Sequence, residues 1–180
     1  MTYVMWGGRV ALATVFAIAA ISKLKSRGAF AELVASLPAF GVPERASLGA
    51  AIVALELSSA AALIFAPQLG GALAAIVLVG FSLGIARALR APEPVACRCF
   101  GASRTPVARG HLVRNAVLAA GAVTLAIRAG VRAPAHTLEV AIATAVALGL
   151  GVLVTRWDDL AFIFSTPDLP GRRTGKRTSR

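Results

Sequence analysis

The chain has 180 residues, of which 57% are hydrophobic and 15% are charged, and its formal net charge is +11. Soluble globular domains have about a quarter charged residues, so this composition excludes a soluble protein and predicts an integral membrane protein. The charge does not indicate nucleic-acid binding, because the 19 Lys and Arg residues lie mainly between apolar runs and in the tail, and no nucleic-acid-binding motif accompanies them.

Five apolar runs predict five membrane-spanning helices. They cover residues 5–24, 47–65, 68–89, 111–128 and 135–155, and each is close to the roughly 20 residues that a helix needs to cross a bilayer. The first run has a second interpretation as a cleavable signal peptide, because Arg9 precedes its apolar core and Ala17-Ile18-Ala19 resembles a cleavage site. The four later runs favour a membrane span instead.

Residues 26–46 between the first two runs are of mixed polarity. One helical face is indicated by the spacing of Phe30, Leu33, Val34 and Leu37, and the pattern ends at Pro38. It predicts a short interfacial helix that lies on the membrane. The predicted fold is therefore an all-α integral membrane protein: a five-span transmembrane helical bundle, four spans plus an extra C-terminal one, with an interfacial segment on the cytoplasmic side. Residues 1–160 form this domain, and the basic residues 161–180 are predicted to be a disordered tail.

The basic residues are unequally divided between the two sides of a five-span bundle. Only Arg9, Arg128 and Arg132 lie on the side of the N-terminus. The remaining basic residues lie on the other side, so the positive-inside rule predicts an external N-terminus and a cytoplasmic C-terminus in a bacterial inner membrane. The connection between the third and fourth spans is also placed in the cytoplasm.

That connection contains the only two cysteines, in the segment Cys97-Arg98-Cys99-Phe100-Gly101. A Cys-x-Cys pair can close a small disulfide ring whose strain makes it easy to reduce. The charge of Arg98 favours the thiolate that attacks in disulfide exchange. The pattern predicts catalytic roles for Cys97, Arg98 and Cys99. Two alternatives remain open: structural thiols at the membrane surface, and a metal site, for which His111 is the only further ligand nearby in sequence.

Polar residues inside the spans form a second group of candidates. Glu56 lies near the middle of the second span, where an ionised carboxylate costs about 2.5 to 3.5 kcal/mol, so it should be protonated or pair with Lys23 or Arg9. It is either a proton or quinone site or a buried group that fixes helix packing. His111 and Asn115 are one helical turn apart at the start of the fourth span, where they could bind the cysteine loop or anchor the helix.

These features together resemble the MauE family of methylamine-utilisation membrane proteins. The resemblance is carried by Arg9, the sequence Ser22-Lys23-Leu24, Glu56, the cysteine segment and Arg114-Asn115, and it extends from Arg9 to the fifth span. The first two spans also look like the DoxX-like group. The resemblance implies a membrane component of a thiol-disulfide relay, coupled to a thioredoxin-like partner, that supports the maturation of disulfide-containing clients such as methylamine dehydrogenase. It does not imply that methylamine is a substrate.

The resemblance and the polar pattern together give the remaining expectations. The residues predicted to support Cys97 and Cys99 are Glu56, Lys23, Arg9, Phe100, Gly101, His111, Arg114 and Asn115. No bound cofactor or metal is expected unless Glu56 serves a quinone, and the expected partners are a thioredoxin-like protein and membrane lipid. The alternatives are a non-catalytic subunit that packs in a larger membrane complex through small-residue faces, and a small quinone-linked oxidoreductase subunit.

Overall fold

The computed structural model describes residues 2–91, 108–128 and 137–156. The described helices are α1 (Thr2–Leu24), α2 (Arg27–Ser36), a 3-10 helix (Leu37–Phe40), α3 (Ala46–Phe65), α4 (Pro67–Ala88), α5 (Arg109–Ile127) and α6 (Thr137–Thr155). All except α2 and the 3-10 helix are long and apolar enough to cross a membrane. The predicted all-α, five-span fold is confirmed, and the chain is a multi-pass membrane protein.

Several predictions concern residues outside the described ranges. Cys97, Arg98, Cys99, Phe100 and Gly101 all belong to this group, as does the basic tail at residues 161–180. The structure does describe both ends of the cysteine connection, Ala91 on one side and Ala108 on the other.

Four helices surround one apolar core, and a fifth packs on its outside. α1 contacts α3, α3 contacts α4, α4 contacts α5, and a smaller contact between α5 and α1 completes the ring. The core is formed by buried side chains from all four helices, among them Leu12, Phe16, Leu63, Leu78 and Leu125. α6 packs mainly against α1, and much of its surface is exposed leucine, isoleucine and valine. Such a surface suits a helix that faces lipid.

A close approach of two backbones fixes the relative direction of α4 and α5. A Cβ atom at Gly71, in the first part of α4, would lie 2.6 Å from the carbonyl oxygen of Ala122 and 2.7 Å from the nitrogen of Ala126. Both alanines lie in the last part of α5, so the two helices are antiparallel. Ala88 and Arg109, at the ends of the cysteine connection, are therefore at the same end of the bundle.

The segment between α1 and α3 forms a short arm that packs against both. Ser26 caps α2 by accepting a hydrogen bond from the N–H of Ala29 at 3.0 Å, and Phe30 and Leu33 pack against Ala20 and Val53. As predicted, α2 ends before Pro38. The chain then makes a 3-10 helix that stops at Gly41, whose φ is 81°.

Gly80 and Gly84 in α4 have the small-xxx-small spacing that can bring two membrane helices close together. Among the described residues, this pair does not mediate a contact between spans. Gly84 faces the ring of Phe40 in the 3-10 helix, and a Cβ atom at Gly80 would meet no atom within 4 Å. These glycines instead line a cavity between α4 and the short arm.

Candidate functional site

A buried ion pair joins α1 to α3. Nζ of Lys23 lies 2.7 Å from Oε1 of Glu56, and the two side chains are 3% and 0% exposed. Lys23 also donates to the carbonyl oxygen of Ala19 at 3.2 Å. Of the two partners that the sequence allowed for Glu56, Lys23 is the one that binds it. Each charge compensates the other in an environment where a single charge is costly.

Arg9 has a different role from the one that the sequence allowed. Its Nη2 donates to the carbonyl oxygen of Ile64 at 2.9 Å, near the C-terminus of α3, where the helix dipole attracts a cation. The guanidinium carbon lies 4.6 Å from the centroid of the Trp6 ring, which is a cation–π contact. Nε1 of Trp6 in turn donates to Oγ1 of Thr144 on α6 at 3.0 Å. Arg9 thus helps to join α1, α3 and α6.

Ser59 was not predicted from the sequence to be a site residue, although it lies one helical turn from Glu56. It follows Glu56 by three residues, so the two side chains share a face of α3, and both are 0% exposed. Within the described ranges, neither Oε2 of Glu56 nor Oγ of Ser59 has a hydrogen-bond partner. A serine one turn from an intramembrane carboxylate was the available signal. The two oxygens leave hydrogen-bonding capacity inside the bundle beside the ion pair.

A second polar group lies on the first two turns of α5. His111, Arg114 and Asn115 are 3%, 7% and 2% exposed, and their spacing places them on one helical face. The same face continues into the core through Ala122 and Leu125. We call His111, Arg114 and Asn115 the α5 polar face.

His111 contacts the residue that precedes α5, which fits one of the two roles that the sequence left open for it. Nδ1 of His111 lies 3.0 Å from the carbonyl oxygen of Ala108. In the tautomer with the proton on Nε2, it accepts a hydrogen bond from the N–H of Ala108 at 3.1 Å. This bond satisfies a backbone donor at the start of α5. Oδ1 of Asn115 is buried and accepts no hydrogen bond from the part of the chain that the structure describes.

The two polar groups lie towards the same end of the bundle. Lys23 is in the last turn of α1 and His111 in the first turn of α5. Since consecutive spans of the ring run in opposite directions, the C-terminus of α1 and the N-terminus of α5 share one end with both ends of the cysteine connection. The structure thus brings four predicted residues, Lys23, His111, Arg114 and Asn115, to this end, and it places Arg9 elsewhere. No three His, Cys, Asp or Glu side chains of the described residues are grouped as metal ligands.

A known protein family matches more than half of the chain. The family model described as methylamine utilisation protein MauE matches residues 1–128, which include the helices from α1 to α5 and the cysteine segment but not α6. No curated protein and no solved structure matches the chain.

Proposed function

This chain belongs to the MauE family of methylamine utilisation proteins, whose model matches residues 1–128, and from that membership we propose that it is the membrane component of a thiol-disulfide relay. Cys97 and Cys99 are the exchanging thiols, and a thioredoxin-like protein is the partner. The relay supports the formation or repair of disulfide bonds in client proteins. One observation carries the proposal: the cysteine connection begins and ends at the end of the bundle that contains the α5 polar face, a buried histidine, arginine and asparagine.

The proposed chemistry is a balanced exchange of two electrons. A thiolate of the Cys97–Cys99 pair attacks the partner's disulfide, so that a mixed disulfide forms and one partner thiolate leaves. The second cysteine then attacks the mixed disulfide, which closes the Cys97–Cys99 bond and releases the partner as a dithiol. The reverse sequence reduces Cys97–Cys99. Arg98 favours the attacking thiolate through its positive charge, and the charge of Arg114 acts in the same sense from the head of α5.

The positive-inside rule places this exchange on the cytoplasmic side of a bacterial inner membrane. The family's clients mature on the outer side, and the chain has no cysteine besides Cys97 and Cys99 with which to pass electrons across. A partner protein with its own dithiol, or a membrane quinone, completes the route in this proposal.

Trapping of a mixed disulfide tests the proposal directly. Membranes that contain the full chain are quenched with acid and alkylated with a mass-tagged maleimide, with and without prior reduction. We expect that part of the wild-type protein gains two tags only when it is reduced before alkylation. Cys97→Ser or Cys99→Ser should accumulate a mixed disulfide with a thioredoxin-like protein, and the double variant should form none.

The same experiment can contradict the relay. Cysteines that stay reduced under every condition, together with full client maturation by the Cys97→Ser/Cys99→Ser variant, would leave a non-catalytic membrane subunit as the better description. If the Glu56→Gln variant lost function while its cysteines still cycled between the reduced and oxidised forms, the quinone-linked alternative would be favoured.

A further inference from the structure

A cavity of about 290 Å³ lies between α4 and the short arm formed by α2 and the 3-10 helix. Its size is at the lower end of the range for small-molecule sites, about 300 to 1,000 Å³. Six of its lining residues are Lys23, Phe40, Ile52, Gly80, Phe81 and Arg87. Apart from Lys23, Ser36 and Arg87, the side chains that line it are apolar.

Among the described residues that line the cavity, Arg87 is the one charged side chain without an ion-pair partner. Lys23 is bound to Glu56 at 2.7 Å, so that pair is neutral as a unit. Arg87 is exposed, and it forms no ion pair or side-chain hydrogen bond with the residues that the structure describes. An occupant with one negative charge near Arg87 would therefore complement the site.

The backbone of the short arm holds Arg87 at the rim. Gly41 has a φ of +81°, and a Cβ atom there would lie 2.5 Å from Nε of Arg87. The guanidinium group thus lies against the backbone of Gly41, and Arg87 lines the cavity there. A residue with a side chain at position 41 would displace it.

The cavity is accessible from the lipid side of α4. Leu83, which lines it, is 69% exposed, and both Leu83 and Gly80 lie within a span that is apolar enough to cross the membrane. Since no atom lies within 4 Å of a Cβ at Gly80, this position leaves an opening. A hydrocarbon chain can enter there without leaving the bilayer.

We propose that this cavity binds an acyl chain of an anionic phospholipid, whose phosphate contacts Arg87. The acyl chain packs against the apolar wall of the cavity. The guanidinium group of Arg87 favours a head group with a net negative charge over a zwitterionic one. The lipid enters from the bilayer through the opening at Gly80. The bound lipid fills the space between the short arm and α4, and so joins the arm to the ring of spans. This inference goes beyond the thiol-disulfide relay and does not depend on it.

Native mass spectrometry of the full chain tests this site. The protein is released from nanodiscs that contain equal amounts of phosphatidylglycerol and phosphatidylcholine with identical acyl chains. We expect wild type to retain phosphatidylglycerol about fivefold more than phosphatidylcholine, the effect of one basic side chain at an anionic surface. Arg87→Gln should remove this preference. Gly80→Leu, which fills the cavity, should lower retention of both lipids severalfold.

Matched variants separate the site from general effects. Gly149→Leu adds the same side chain to α6 at a position with no atom within 4 Å of its Cβ, and Arg109→Gln removes an exposed charge from the same end of the bundle; both should behave as wild type. Circular dichroism and size-exclusion elution verify that each variant is folded. Equal retention of the two lipids by wild type would overturn the proposal, as would unchanged retention by a folded Gly80→Leu variant. Co-purification of a quinone that only Gly80→Leu loses would also overturn it.

Discussion

At the scale of single residues, the spans of this protein contain polar groups that are costly in a membrane and must be compensated. Lys23 and Glu56 compensate each other, and Arg9 is held by a carbonyl oxygen and an aromatic ring. Arg114 and Asn115 are nearly as buried as the ion pair. Lys23, Glu56 and Arg9 join one span to another, whereas the α5 polar face lies at the end of the bundle where the cysteine connection begins and ends.

The ion pair predicts a non-additive response to mutation. Lys23→Met or Glu56→Leu alone leaves one buried charge without its partner, and we expect each to lower the free energy of unfolding by about 3 to 5 kcal/mol. The double variant removes both charges and should recover most of that loss. Unfolding in detergent micelles, followed by circular dichroism, measures the effect. Glu44→Gln, at an exposed carboxylate, is the control, and a double variant that is less stable than either single one would contradict the pairing.

The α5 polar face predicts an effect on the cysteines that a surface charge does not have. Arg114→Gln removes a buried cation from the end of the bundle where the cysteine connection begins and ends, so the thiolate should be less favoured. We expect alkylation of the reduced cysteines in membranes to slow severalfold. Arg109→Gln, five residues earlier on α5 and exposed, should change the rate little. Equal rates in Arg114→Gln and wild type would remove Arg114 from the site.

At the scale of helices, the sequence predicted the elements closely because lipid imposes a length on them. Each observed span begins and ends within one turn of its predicted limits. Helix contacts were less predictable, since an alanine-rich span has small residues on every face. The step at Gly80 and Gly84 resembled a packing motif, yet the backbone contact with α5 is at Gly71.

The same limit applies to the candidate site. The sequence identified Glu56 as a residue that needed a cation, but it could not choose between Lys23 and Arg9, since both lie on α1 and the choice depends on how α1 is placed against α3. The burial of Arg114 was equally hidden, because an arginine near the end of a span is usually assigned to the membrane surface. Only the packing of the helices separates these cases.

The contact at Gly71 predicts a position that does not tolerate a side chain. Gly71→Ala would place a methyl group 2.6 Å from a backbone oxygen of α5, and moving the two helices apart should cost about 1 to 3 kcal/mol. Gly149→Ala, which meets no atom within 4 Å, should be neutral or slightly stabilising because alanine favours a helix over glycine. Thermal unfolding in micelles compares the two. Equal stability of both variants would show that α4 and α5 are not in backbone contact.

At the scale of the whole molecule, five spans and the distribution of basic residues fix an expected orientation. An odd number of spans places the two termini on opposite sides. It also places the short arm and the cysteine connection on one side, and the link between α3 and α4 on the other. The proposed relay depends on this arrangement, because the side of the cysteines decides which thioredoxin-like protein could reach them.

Labelling with an impermeant maleimide tests this orientation. In a Cys97→Ser/Cys99→Ser background, Glu44→Cys reports the side of the short arm and Gln68→Cys reports the link between α3 and α4; both positions are exposed. We expect Gln68→Cys to be labelled in intact cells after the outer membrane is permeabilised. Glu44→Cys, and the native cysteines of the reduced wild type, should be labelled only in inverted vesicles. Because two spans, α3 and α4, separate the short arm from the cysteine connection, labelling of Glu44→Cys and the native cysteines from opposite sides would contradict the five-span topology. Labelling of both from outside would keep the five-span topology but reverse the orientation, and it would put the proposed exchange on the outer side.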